Sequence, residues 1–275
     1  MQIELIGCTS AGKSTLVGGM LRACKERGQD AVTGDDFVLK QARLNWVKGY
    51  LFRTLLVDLL TLSACLATLR TNLAFYKLTL QSIWQLPAGV GWFERLNIAR
   101  NVFKKVGIHK IICWRGSDQQ IVLLDEGTIH TAHYLFVHVS IEPNASHLST
   151  FIGLVPLPDV IVYVQNDADT LVKRTLSRGH RRLGDRSPAE IALFVERAID
   201  TFNNLTQSSK LRSRLLILDA SQNLVTLPDS DHQLDPSVAL AADIVRAGVD
   251  PVIPYRSPTM HSGFDSIAVT LSNDS

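Results

Sequence analysis

The chain predicts an α/β protein built on a mostly parallel sheet with helices packed on both faces. Three observations carry that expectation. Short, continuously apolar runs recur along the 275 residues, helical stretches separate them, and the first run leads directly into a glycine-containing loop and an amphipathic helix. Continuous apolar runs mark strands buried on both sides, and strands alternating with helices require parallel crossovers. With 46% hydrophobic residues, the chain can bury one large core or two small ones.

The short apolar run at residues 3–6 reads as the first strand. Gly7-Cys8-Thr9-Ser10-Ala11-Gly12-Lys13-Ser14-Thr15 follows and is a complete phosphate-binding loop. Such a loop wraps backbone N–H groups around phosphates, so Gly7 and Gly12 stand where a side chain would block the approach, with Thr9, Ser10, Ala11 and Thr15 as further contacts. Lys13 is expected to reach the β- and γ-phosphates and the Ser14 hydroxyl to ligate Mg²⁺. A helix over 13–27 points its positive end at the anion; Leu16, Val17, Met20, Leu21 and Cys24 recur at helical spacing, and Gly28 is its stop. Cys8 beside Lys13 is a redox candidate, although such loop positions ordinarily supply only backbone.

Residues 31–33 form a short second strand ending at Gly34-Asp35-Asp36, and a mainly helical region then runs over 38–106, broken by Pro87-Ala88-Gly89-Val90-Gly91. Within it, 51–69 is apolar enough to suggest a membrane span, but Arg53 and Asp58 lie inside, and a charge at the bilayer centre costs about 2.5 to 3.5 kcal/mol. Leu55, Leu59, Leu62, Leu66 and Leu69 step by four and three, with Thr54, Asp58, Thr61 and Thr68 on an adjacent face. An amphipathic helix packed onto the domain is expected, in preference to a membrane-surface or protein contact.

Residues 111–114 are ambiguous between strand and loop, and 115–118 read as a turn. Buried strands follow at 121–124, ending in Asp125-Glu126-Gly127, and at 160–164, after which Asp167 caps a basic helix. Ser187-Pro188-Ala189-Glu190 has the form of a capping box and opens a helix to about residue 203. A last core strand at 215–218 ends in Asp219-Ala220-Ser221, and Asp235-Pro236 starts a final helix to about residue 247. Residues 1–250 are expected to form the domain and 251–275 a loosely ordered tail.

Ligands of such sheets lie beyond the C-terminal ends of the strands, so Gly7, Asp35-Asp36, Asp125-Glu126 and Asn166-Asp167 should gather around one crevice. Asp125 is expected to hold the Mg²⁺ shell, a helix cap being its bland alternative. Glu126 shares that task, orients a nucleophile or accepts its proton. Asp36 or its neighbour Asp35 would hydrogen-bond an acceptor hydroxyl or act as its base, although both are also ordinary turn residues. Arg174 and Arg178 share a helix face, and Arg181, Arg182 and Arg186 follow on a glycine-punctuated segment that could close over a triphosphate; a solvated basic face is the alternative. His130, His133 and His138, spaced three and five apart, match no strong metal motif and read as helix surface or substrate contacts.

The composition narrows the partners. A formal charge of +2 gives no general argument for nucleic acid or an anionic membrane. Four scattered cysteines fit a reducing cytoplasm rather than a disulfide framework, and a strand and loop that begin at once leave no room for a signal peptide. A guanine-specific switch is disfavoured because no Asn-Lys-x-Asp sequence occurs, and a transporter ATPase because Leu-Ser-Gly-Gly-Gln is absent.

The phosphate loop, the acidic strand end Asp125-Glu126-Gly127 and the run Pro158-Asp159-Val160-Ile161-Val162-Tyr163-Val164 resemble the P-loop kinases of the nucleoside and nucleotide kinase group, with thymidylate kinase the nearest comparison. Lys173, Arg174, Arg178-Gly179 and Arg181-Arg182 are similar to that group's lid, here over 173–186. Leu218-Asp219-Ala220-Ser221-Gln222 is similar to its adenine-side segment, which makes Ala220 a nucleotide contact. The resemblance implies ATP as donor, Mg²⁺ as cofactor and a three-layer P-loop NTPase fold around a five-stranded parallel sheet. Two departures stand out: Glu126 occupies the place where thymidylate kinases carry an arginine, and 38–106 matches no substrate-recognition pattern of the group. An ATP-dependent kinase acting on a nucleoside, nucleotide or sugar is therefore the first expectation. A nucleotide-hydrolysing regulator of a protein or membrane-associated partner is the second.

Overall fold

A computed structural model describes residues 1–117, 119–142, 144–179, 187–227 and 236–249. In chain order its elements are β1 Gln2–Ile6, α1 Lys13–Glu26, β2 Asp30–Thr33, α2 Gly34–Gln41, α3 Tyr50–Ala67, α4 Leu73–Trp84, α5 Trp92–Arg115 and β3 Gln120–Leu124. There follow α6 Thr131–Phe136, α7 Ala145–Leu154, β4 Val160–Gln165, α8 Ala168–Arg178, α9 Pro188–Thr206, α10 Ser209–Arg212, β5 Leu215–Asp219, β6 Leu224–Thr226 and α11 Pro236–Val249.

The sheet order is β2-β3-β1-β4-β5-β6. The first five strands run parallel, with Ile3 opposite Leu123 on one side and Val160 on the other. β6 adds a sixth strand, antiparallel to β5 with Leu218 opposite Val225, so the expected five-stranded sheet is extended by an edge hairpin. Its turn is built by Asp219, whose carboxylate accepts from the backbone of Ser221 and Gln222. A strand of three residues leaves too short a period-2 pattern to be recognised in sequence.

Both sheet faces are covered, as continuous apolar strands require. Val160, Val162 and Val164 of β4 join a core with α1, α9 and α11, whereas Ile161 and Tyr163 point into a second core with α4, α6 and α7. α1 and α11 cross so closely that a Cβ on Gly19 would lie 2.1 Å from the Gly248 carbonyl oxygen. A third cluster joins α2, α3 and α5 to β3 through Phe37, Val57, Ile108 and Leu124.

The region over 38–106 is helical as expected, but one detail just beyond it and one within it differ. Residues 111–114 are neither strand nor loop; they are the last turns of α5, whose Ile98, Val102 and Ile112 are buried at helical spacing. The helix expected over 51–69 forms as α3 and does pack onto the domain, yet with the opposite face from the leucine stripe. Val57, Thr61, Ala64 and Cys65 are buried, and Leu55, Leu59, Leu62, Leu66 and Leu69 are exposed. The reason is close packing: a Cβ on Gly107 of α5 would sit 2.3 Å from the Thr61 carbonyl oxygen, a separation that only small side chains permit. The two charges inside α3 are paired, Arg53 with Asp36 and Asp58 with Arg100. α3 is long and apolar enough to cross a membrane by length and composition, and only 22% of it is buried within the molecule.

Candidate functional site

The loop between β1 and α1 is shaped by its glycines. Gly7 has φ +139°, and a Cβ there would lie 2.5 Å from the Val164 carbonyl oxygen, so the exit of β1 is pressed against β4. Gly12 caps α1 in the left-handed region at φ 100°, where a side chain is disfavoured. Lys13 is buried and donates from Nζ to the Gly7 and Cys8 carbonyl oxygens at 2.9 and 3.0 Å. The redox expectation for Cys8 finds no physical basis: burial pushes its thiol up to about 11, outweighing the opposing charge of Lys13.

Ser14 Oγ donates to Asp125 Oδ2 at 2.5 Å, so the loop and the end of β3 meet. Asp125 Oδ1 is buried with no hydrogen-bond partner among the described residues. A hydroxyl and a carboxylate with a spare buried oxygen are hard oxygen donors, and they fit a small divalent cation that completes its shell with water and phosphate. Among the described residues no group of three or more His, Cys, Asp or Glu side chains could hold a metal ion.

A cavity of about 940 Å³ opens over this loop and is lined by every residue from Thr9 to Thr15. Arg174, Arg178 and Ala220 stand on its walls, as does Gly179 just past the end of α8. Asp167 caps α8 as its position suggests, accepting from Thr170 N at 2.7 Å, and thereby fixes the face that carries both arginines. Arg181, Arg182 and Arg186 lie outside the described residues, as do Asp235 and the tail.

Asp125, Glu126, His130 and Tyr134 form the cavity's acidic side. Glu126 accepts from the Tyr134 hydroxyl and lies 3.3 Å from His130 Nε2. Burial opposes ionisation of Glu126, but the charge and hydrogen bond of His130, together with Lys105 and Lys13, hold its carboxyl well below the usual range. The three histidines are not helix surface. His130, His133 and His138 are all buried, and His130 and His133 stack on each other and on Phe202.

Beneath the Asp125-Glu126-Gly127 turn lies Glu4, in the middle of the run read as apolar. It is fully enclosed and accepts from His130 N at 2.8 Å and from Thr128 Oγ1 at 3.3 Å. A Cβ on Gly127 would come 2.4 Å from its carboxylate, so the buried acid leaves no room for a side chain there. The signal was available: a charged residue inside a central parallel strand contradicts the usual composition of such strands.

The acceptor side divides the two aspartates. β2 ends at Thr33, which caps α2 by accepting from Asp36 N at 3.3 Å, so Asp35 and Asp36 occupy the first helical turn. Asp36 bonds Thr33 and Arg53 and lines neither cavity. Asp35 accepts from Lys104 Nζ at 2.7 Å and lines a second cavity of about 270 Å³ with Lys104, Lys105, Asp125 and Glu126. The two cavities share Asp125 and Glu126. Lys104 and Lys105 escaped sequence reasoning because nothing in α5 marks which of its turns reaches the strand ends.

No known family's sequence pattern matches the chain, and no curated protein matches it. Among solved structures, a protein of Chloroflexus aurantiacus j-10-fl, provisionally named a kinase, aligns over 88% of this chain and 96% of its own length. The identity is 16% and the TM-score 0.36. A likeness this distant adds no weight to any activity or to any residue's role.

Proposed function

We propose that the chain is a P-loop kinase of the three-layer NTPase fold, transferring the γ-phosphoryl group of ATP to a small polar acceptor. The observation that carries the reading is the meeting of Ser14 with Asp125 beside buried Lys13, at the floor of a cavity with Arg174 and Arg178 on its wall. In this reading the amides of residues 9–15 and Lys13 hold the triphosphate, and the arginines take up charge on the transferred group. Ser14 and Asp125 would hold Mg²⁺, which when bound supplies charge neutralisation at the phosphates.

The acceptor occupies the smaller cavity, with Asp35 and Glu126 toward its hydroxyl. Asp36, the residue first expected there, is engaged with Arg53 and serves to fix α2 on α3. Glu126, fixed by Tyr134 and His130, orients the acceptor. Phosphoryl transfer asks mainly for such placement. The exposed leucine face of α3 favours a second reading, a nucleotide-hydrolysing regulator.

The test is ATP turnover with and without a panel of nucleosides, nucleotides and sugars. Turnover should depend on an acceptor and drop by about two orders of magnitude or more in Lys13→Ala, whose fold circular dichroism should find intact. Hydrolysis indifferent to every acceptor and unchanged in Glu126→Gln would favour the regulator; turnover unchanged in Lys13→Ala would remove both readings.

A further inference from the structure

The helical region is the apolar and basic side of the molecule at once. Residues 38–106 carry ten Lys and Arg against two Asp and Glu, a net +8, while the rest of the chain carries 18 against 24; Lys40, Arg53 and Lys104 are paired with Asp30, Asp36 and Asp35 just outside that stretch. The balanced total conceals this asymmetry. In the same region the exposed residues of α3 from Tyr50 to Leu66 include no charge, and its leucine stripe continues to Leu69. Large aromatic side chains of the same region are also exposed, Trp84 at 80% and Phe93 at 87%, with Trp46 and Trp92 also open. Exposed cations stand beyond both ends of α3, Arg43 and Lys48 before it and Arg70 after it.

We propose that this face docks on an anionic lipid surface, with α3 lying in the interface and the cavities of the domain left in water. A helix that presents leucines on one side, with a tryptophan four residues before its start and lysine or arginine beyond both ends, has the composition of an interfacial element. The charge decides among occupants. The exposed cations Arg43, Lys48 and Arg70 are drawn toward an anionic leaflet, whereas a second copy would set its own cations against them. α3 lies on the membrane and does not cross it, because Thr61 is packed on Gly107 and Arg53 and Asp58 are tied to Asp36 and Arg100. Extraction of the helix would break all of these. The same α5 that carries Gly107 lines the smaller cavity with Lys104 and Lys105, so the docked face and the acceptor side share one helix.

The experiment mixes the full chain with phosphatidylcholine vesicles, pure or with about a third phosphatidylserine, and measures co-sedimentation and tryptophan emission without nucleotide. Phosphatidylserine should tighten binding about tenfold or more, with a blue shift, and added salt should weaken it. Leu59→Glu with Leu66→Glu should abolish binding and the shift while leaving the melting temperature within a few degrees, because both side chains are exposed. Lys48→Glu with Arg70→Glu should remove the preference for the anionic lipid. Absence of vesicle binding, or equal binding to both lipids, would overturn the proposal. So would a dimer in analytical ultracentrifugation that Leu59→Glu dissolves, which would make the occupant a second copy. Because no nucleotide is present, these outcomes are independent of the kinase reading.

Discussion

Burial penalises the ionised form of Glu4 more than its hydrogen bonds from His130 and Thr128 offset, and its pKa rises to about 7. The folded protein therefore holds a proton that the unfolded chain, near the ordinary value of 4.5, releases earlier. Stability from this group is fully present below pH 4.5 and is lost as pH rises through about 7. His109 acts in the opposite sense: burial, with a smaller contribution from Lys110, lowers it to about 4, so its contribution falls away as pH drops from 6.5 toward 4. The difference between wild type and Glu4→Gln isolates the first effect. Unfolding free energies from urea titrations between pH 5 and 8 should fall with pH in wild type by ~2 to 3 kcal/mol more than in Glu4→Gln. Parallel curves would show that Glu4 is ionised in the native state throughout. At this scale the loop was legible in sequence because spacing alone identifies Gly7, Gly12, Lys13 and Ser14. Glu4 carried a signal as a charge inside a central strand, but its partners His130 and Thr128 did not show, and Tyr134 and Lys105 act through neighbours that only folding brings to them.

The contact between α3 and α5 rests on a glycine whose replacement has opposing local and tertiary effects. In an isolated helix Gly107→Ala would stabilise by about 1 kcal/mol. Here the new methyl would meet the Thr61 backbone and side chain at 2.3 to 2.6 Å, and overpacking of this kind costs about 1 to 3 kcal/mol. The expected outcome in calorimetry is a lower melting temperature for Gly107→Ala; an increase would show that α3 moves aside without cost. Helix existence was readable from the 3.6-residue pattern, and so were the caps at Asp167 and Ser187, the latter with both halves of its box formed. Which face of α3 turns inward was not readable. A leucine stripe ordinarily faces the core, and the rule was overridden by close approach of small residues to Gly107.

For the molecule as a whole, the proposed nucleotide site draws its walls from the loop before α1, from α1, from the end of β3 and from α8, so a ligand there would link elements far apart in the chain. Ligand at about a hundred times its dissociation constant stabilises by ~2.7 kcal/mol, so Mg-ATP should raise the melting temperature by several degrees. Ser14→Ala should lose most of the magnesium-dependent part of that shift while retaining a shift from nucleotide alone. An equal magnesium effect in both proteins would take Ser14 out of the cation site.

The apolar runs and their spacing were enough to call for parallel strands with helices between them, because burial on both faces and the crossover rule act locally along the chain. They also placed Asp125 at a strand end, where it does meet Ser14. The split between Asp35 and Asp36, the buried support of Glu4, and the outward turn of the α3 leucines arose only on assembly. Each depends on side chains far apart in the chain competing for the same few ångströms, and no periodicity records the outcome of that competition.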